Sequence, residues 1–279
     1  MNYPVYKLRD WIDENKLDYI YLCRNNHPKA IEILRRNKNK INWDLLSSNE
    51  MAFELLEENL EKINWNSLCF NENNKAIELL KKNPEKINWT NLSSNPSAIE
   101  LFKENKDKID WFYLSINKNL KAVELLKKNP NKIDWINISS NSSAIDLLEE
   151  NPEKISWHCL NANKSILAIK LLEKNIDKID WELLSSNKKA IKILENNQDK
   201  ISWDYLSYNS SAIELLEKNQ NRICWHRLSA NPSIFTLDYE QMRINNQSLE
   251  EDLLKTVLHP KRVIRNMELY GYDIDDMFY

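Results

Sequence analysis

Apolar and polar positions recur in one pattern along almost the whole chain. In KINWDLLSSNEMAFELLEEN (Lys40–Asn59), Ile41 and Leu46 flank Trp43, and Ala52, Phe53, Leu55 and Leu56 form a second cluster among charged residues. The aromatic of this unit falls at Tyr19 and then at Trp43, Trp65, Trp89, Trp111, Trp135, Trp157, Trp181, Trp203 and Trp225. The steps alternate between 24 and 22 residues, except that the last two are both 22. The alternation implies a larger period of 46 made of two unlike units, with the extra residues before the second apolar cluster, as in Asn71–Lys75 and Asn117–Lys121. A fixed period in this range marks a chain built from stacked supersecondary units.

Local chemistry places two helices in each unit. The residue before each aromatic is Asp18, Asn42, Asn64, Asn88, Asp110, Asp134, Ser156, Asp180, Ser202 or Cys224. All but the cysteine are side chains that cap a helix N-terminus well. With that residue as the cap, Ile41 and Leu46 occupy the two positions of a hydrophobic staple, and Ile63/Leu68, Ile87/Leu92, Ile109/Leu114 and Ile201/Leu206 repeat it. This predicts a short helix, A, opening on the aromatic. A second start follows at Asn95-Pro96 and Asn231-Pro232, where Pro takes the first helical position. Asn49, Asn141, Asn187 and Asn209 stand in the same place, and Ser165 serves the longer seventh unit. Helix B then carries Ala98, Ile99, Leu101 and Phe102 on one side, with Glu100, Lys103 and Glu104 on the other. It is expected to run for about ten residues and to end at an Asn, such as Asn37, Asn59 or Asn83, in the left-handed region or through the Asn side chain.

Helices this short are marginal alone, so stability has to come from stacking unit on unit. The predicted fold is all-α, an α-solenoid of about ten 22/24-residue helix–turn–helix repeats with capping helices at both ends. Residues 1–16 are assigned to an N-terminal cap (with Trp11, Ile12 and Leu17 at the joint), 17–243 to the repeats and 244–279 to a C-terminal helical cap or tail. At about 9 Å between helices, ten units would form a curved rod about 90 Å long. Tyr19 and the nine repeat tryptophans are assigned to a ladder inside the stack, because nine indoles exposed in a stripe would be an aggregation hazard.

The tail breaks the pattern. Ser248 and Glu251 suggest a capping box opening one helix, Pro260 the start of another, and Gly271 its stop. Lys261, Arg262 and Arg265, with the acidic and aromatic end Asp273–Tyr279, form an alternative docking element.

The stretches NPSAIELFKENKDKIDWFYLS and NSSAIDLLEENPEKISW carry the consensus NPxAIxLLxxNPxKIxWxxLS. It resembles a short Trp-containing tandem helical repeat found in uncharacterised proteins of large DNA viruses of protists, over roughly residues 17–243. The resemblance implies a repeat scaffold in an infected cell, comparable to viral ankyrin-repeat proteins, and brings no catalytic residues.

Composition narrows the function classes. The chain has one glycine in 279 residues, which leaves no room for a Gly-rich phosphate loop. The 39 basic and 42 acidic residues nearly cancel, so no overall basic footprint for nucleic acid exists. No apolar run has the length of a membrane span and none resembles a signal peptide, so a cytoplasmic protein is expected. Cys23, Cys69, Cys159 and Cys224 form no CxxC pair, and Cys23 and Cys69 stand where other repeats have Ser. Of the four histidines, His158 and His226 share one repeat position but lie three repeats apart. No catalytic, cofactor-binding or metal residues are assigned, and the protein is not expected to be an enzyme.

The two positions after each aromatic vary most between repeats. In a regular stack they line one ridge along the A helices, and Tyr21, Phe112, Tyr113, Ile136, His158, Tyr205, His226 and Arg227 are its candidate partner-binding residues. Some of these could instead pack under a neighbouring repeat. The first repeat has six basic residues against two acidic and the second one against six, a contrast suited to pairing between repeats. The function expected is a monomeric scaffold that binds a protein, viral or host, through the ridge. A helical-repeat RNA reader and a structural part of a virion or viral factory are the alternatives.

Overall fold

The computed structural model describes residues 4–270 and contains two compact units, Arg9–Phe235 and a smaller one from the two chain ends. The larger unit is an all-α helical repeat. Each A helix is a single turn, such as Trp43–Ser47 or Trp111–Leu114. Its cap side chain accepts a backbone N–H in eight repeats, the exceptions being Ser202 and Cys224. Leu22, Leu46, Leu68, Leu92, Leu114, Ile138, Leu160, Leu184, Leu206 and Leu228, one per A helix, are all 0% exposed. They form the axis of the core.

The alternation of 24 and 22 residues resolves into two ways of starting helix B. In the first, third, fifth and seventh repeats, B is one α-helix: Pro28–Arg36, Asn74–Lys82, Leu120–Lys127 and Ile166–Lys174. In the shorter second, sixth and ninth repeats it opens with a 3₁₀ turn followed by a five-residue α segment, as at Glu50–Ala52 and Phe53–Glu57. The fourth is 3₁₀ throughout, Pro96–Lys103. The expected uniform ten-residue helix is therefore found only in part. Helix B covers the same number of residues from its cap to its terminal Asn in both kinds of repeat, so the two extra residues of the longer repeats fall before the cap.

The terminal asparagines of helix B do not enter the left-handed region. Asn37, Asn59 and Asn83 have φ of −126°, −141° and −131°. Each instead returns its side-chain N–H to the carbonyl four residues back, as do Asn105, Asn129, Asn151, Asn175, Asn197 and Asn219. The Asn side chain thus satisfies an orphan carbonyl that a left-handed residue would otherwise have to serve.

The expected open rod is not what forms. In every repeat one buried Asn bridges to the repeat before it: Asn49, Asn71, Asn95, Asn117, Asn141, Asn163, Asn187, Asn209 and Asn231 each donate both amide hydrogens to two backbone carbonyls of the preceding repeat. Asn25 of the first repeat makes the same pair of bonds to Ser229 and Asn231 of the tenth, at 2.9 and 3.0 Å. A second set runs in the opposite sense. In the seven repeats where a Ser follows the core Leu or Ile, its hydroxyl accepts the N–H of the next repeat's cap, as Ser139 does from Ser156 at 2.9 Å. Ser229 accepts from Asp18 in the same way at 2.8 Å. Lys16 lies 4.8 Å over Trp225, as Lys62 does over Trp43. The tenth repeat is therefore joined to the first by the contacts that join any other neighbours, and Arg9–Phe235 is a closed ring. The ~90 Å expected as a length becomes a circumference, giving a diameter of about 30 Å.

Closure changes the roles of the ends. The tenth repeat has its A helix, Trp225–Ser229, but in place of helix B only the 3₁₀ turn Pro232–Ile234. Residues from the front of the chain complete it: Ile12 and Leu17 are buried, Glu14–Lys16 forms the turn that elsewhere precedes an A helix, and Arg9 donates its backbone N–H to Ile234 and its Nε to Ser233. Instead of capping an open face, residues 9–17 close the ring.

In the smaller unit, strand β1 (Tyr6–Leu8) pairs with β2 (Phe235–Leu237), and two helices follow, Tyr239–Val257 and Pro260–Tyr270. The start expected at Ser248 does not occur. Asp238 caps the helix ten residues earlier through the N–H of Gln241, and nothing between them breaks it. Gly271 and the segment Asp273–Tyr279 lie outside the described residues. No helix among the described residues is long and apolar enough to cross a membrane.

Candidate functional site: the two faces of the repeat ring

Each ladder Asn holds three partners. In the shorter repeats its Oδ1 accepts the N–H two residues on and so caps helix B, as Asn141 does for Ser143 at 3.0 Å. In the longer repeats it accepts from the residue that is itself the cap, so Asn25, Asn71, Asn117 and Asn163 hold His27, Asn73, Asn119 and Ser165. Those four in turn cap helix B. The two inserted residues are thus one extra step between ladder and helix. These asparagines make the A–B turn the tightest joint between repeats. Away from the turn the repeats part, leaving cavities of about 390 Å³ beside Phe53 and Leu79 and about 190 Å³ beside Ile179 and Ile193. A repeat narrow at the turn and wide at helix B is a wedge, and ten wedges close with their turns inward.

The inner face is lined by the residues after the ladder Ser and after the ladder Asn. Phe70, Ser94, Ile116, Ser140 and Ala162, one from each of five successive repeats, border a single cavity of about 410 Å³ together with Glu72, Lys118 and Lys164. Five repeats can share one cavity only on the concave side of a tight curve. Crowding by the surrounding protein, and then the charges of Lys118 and Lys188, hold the Lys164 ammonium below the ordinary lysine pKa.

The A-helix ridge lies on another face. The first position after the aromatic is exposed in all ten repeats and the second is half-buried in all ten. Ile20 is 51% exposed, Phe112 52% and Ile136 61%. Of the residues proposed from sequence, Phe112, Tyr113 and Ile136 come together: the rings of Phe112 and Tyr113 meet edge to face at 5.4 Å, and Asn137, beside Ile136, donates to the Phe112 carbonyl at 3.1 Å. Others join repeats. His158 Nδ1 lies 2.9 Å from Asp180 and His226 Nδ1 2.6 Å from Asp18. Arg227 pairs with Asp204 at 2.7 Å and lies over the Tyr205 ring. Tyr21 faces His226 across the closing joint, 6.1 Å between centroids. Burial pushes the Asp18 carboxyl up, but hydrogen bonds from His226 and from the N–H groups of Ile20 and Tyr21 outweigh it, and its pKa lies below the ordinary aspartate value.

The aromatic ladder sits at the far end of each A helix from the turn. Trp203 is buried, and Tyr19 and the other eight repeat tryptophans are half-buried. A basic side chain covers several of the open ring faces: Lys40 over Tyr19 at 4.1 Å, Lys154 over Trp135 at 4.4 Å, Lys200 over Trp181 at 4.9 Å and Arg222 over Trp203 at 4.2 Å. The opposite charges of the first two repeats meet in an ion pair, Arg35 with Glu58. Both partners are exposed, and such a pair adds little.

The four cysteines are free. Cys23 and Cys69 take the place of the ladder Ser and donate to the aromatic's carbonyl in the same way. Burial pushes the Cys23 thiol up to about 11. Among the described residues no group of three or more His, Cys, Asp or Glu is placed to hold a metal ion. In the smaller unit, Lys261, Arg262 and Arg265 line an open groove with Lys255 and His259 where its two helices meet.

What sequence reasoning missed is the ladder. Asn stands at 25, 49, 71, 95, 117, 141, 163, 187, 209 and 231, the only position in the unit filled by Asn in every repeat. A helix cap alone does not demand that, because Ser, Thr and Asp cap as well. Two donors facing two carbonyls do demand an amide.

The chain matches no family model, no curated protein and no solved structure.

Proposed function

We propose that this protein is a non-catalytic ring scaffold that docks a protein partner on the A-helix ridge at its fifth and sixth repeats. One observation carries the reading: Phe112 and Ile136, on adjacent repeats, are more than half exposed where most repeats place polar residues. Neighbouring large apolar side chains held on a rigid frame are what a protein partner desolvates on binding. The polar residues around them, Thr90, Asn91 and Asn137, suit the rim of such a patch. Ring closure supports a monomer, because both faces that an open stack would present are already covered. The repeat's resemblance to those of protist-infecting DNA viruses makes the cytoplasm of an infected cell the proposed setting.

The test compares affinity purification with the wild-type ring and with a Phe112→Ala/Ile136→Ala variant. Both side chains being largely exposed, the variant should melt within about 2 °C of the wild type and lose a partner that a Thr90→Ala control keeps. Equal recovery by the wild type and the double variant would remove this arc as the docking site.

A further inference from the structure

The residue after the ladder Asn points a distinct chemistry into the ring. In the fifth, seventh and eighth repeats it is Lys118, Lys164 and Lys188; in the second and third it is Glu50 and Glu72. Lys118 and Lys164 border the 410 Å³ concave cavity, and Lys188 lies close enough to act on Lys164. Among the described residues, none of the three lysines is in an ion pair with a carboxylate, whereas Lys121 and Lys103 nearby both pair with Glu100. The other polar groups on this wall are already engaged: Ser94 and Ser140 give their hydroxyl hydrogens to the carbonyls of Asn91 and Asn137, and Asn95 gives both amide hydrogens to Cys69 and Asn71. The donors left to a ligand are ammonium groups. The cavity falls in the size range of small-molecule sites, about 300–1,000 Å³.

We infer that this concave basic arc binds a small molecule carrying two or more phosphate groups, held between Lys118, Lys164 and Lys188. Lysine ammoniums bind phosphate as compact point charges. Like charges gathered on a concave surface focus their field on the space they face, and a multivalent anion relieves the repulsion among the three lysines. Glu72, which lines the same cavity, repels such a ligand and favours its place beside the lysines.

Tripolyphosphate is the probe, titrated by calorimetry into the full chain at low and at moderate salt, with inositol trisphosphate as a second probe. Saturable one-to-one binding that weakens with salt is expected. Lys118→Gln/Lys164→Gln/Lys188→Gln should weaken it at least thirty-fold without lowering the melting temperature, since the substitutions remove like-charge crowding. Glu72→Gln should tighten it several-fold, and Arg262→Gln/Arg265→Gln, in the groove of the smaller unit, should leave it unchanged. Absence of binding by both probes at millimolar concentration overturns the inference. Binding that survives the triple substitution, or that is lost with the arginine pair, overturns it as well.

Discussion

A buried amide that meets three partners is the smallest unit of this architecture. Asn141 is 1% exposed; it donates to the carbonyls of Ser115 and Asn117 in the preceding repeat and accepts from Ser143 in its own. Removing it strands two buried carbonyls and a half-buried N–H at once, and each buried group costs about 1–3 kcal/mol. Asn141→Ala is expected to destabilise the ring by roughly 3–5 kcal/mol in urea unfolding. Asn141→Asp preserves the shape but turns a carboxylate towards two carbonyl oxygens, so at neutral pH it should be the worse of the two. Its folded-state pKa is then raised, and the deficit relative to wild type should shrink as pH falls to about 4. An Asp variant as stable as wild type at pH 7 would show that the amide donors do not hold the repeats together. The aromatic position works differently. The indoles contribute area, and the covering Lys or Arg buries its stem while keeping its charge in water.

At the level of elements, helices of four or five residues survive because their ends are tied. The A helix receives a side-chain cap in front, and the Ser behind its core Leu binds both its own aromatic's carbonyl and the next repeat's cap N–H, as Ser47 does with Trp43 and Asn64. The closing joint adds a titratable pair, Asp18 with His226. Asp18 has a folded-state pKa below its unfolded value. Its contribution is therefore fully present above the unfolded pKa, near 3.9, and is lost as pH falls through the lower folded value. Melting temperatures of wild type and Asp18→Asn should differ at pH 6 and converge below about pH 3. Because the His226 side of the pair is largely exposed, the difference should stay within about 1 kcal/mol. A gap between the two proteins that widens on acidification would contradict the assignment.

For the larger unit as a whole, closure replaces end caps. An open stack needs polar terminal repeats to shield its two exposed core faces, whereas a ring has neither face. Residues 9–17 accomplish this by completing a tenth repeat whose other half lies at the far end of the unit, as the Asp18–Ser229 bond across 211 residues illustrates. By small-angle scattering, a fragment spanning 9–235 should have a radius of gyration near 17 Å, the value for a compact chain of that size. A rod of about 90 Å would give roughly 26 Å. Deleting residues 9–16 should open the joint, raise the radius and promote self-association through the bared first and tenth repeats, while far-UV helicity per residue largely persists. A fragment that stays compact and monomeric without residues 9–16 would refute their role in closure.

Period, capping residues and the apolar pair around each Trp determined the repeat, its two helices and the identity of the core, because these depend on contacts within some twenty residues. The Cys behind Leu22 and Leu68, in the place of Ser, the Asn-Pro starts and the exposed ridge position were legible for the same reason. Sequence did not show that Asn is demanded at ten places, since a cap and a cross-repeat bridge look alike until the partner carbonyls are in view. Nor did it reveal that the stack closes. Curvature is the sum of small angles set by how much narrower each repeat is at its turn than at helix B, and no local pattern records that sum. Only the tertiary structure brought Asn25 to Ser229, gathered Lys118, Lys164 and Lys188 on one concave wall, and left Phe112 and Ile136 side by side on the outside.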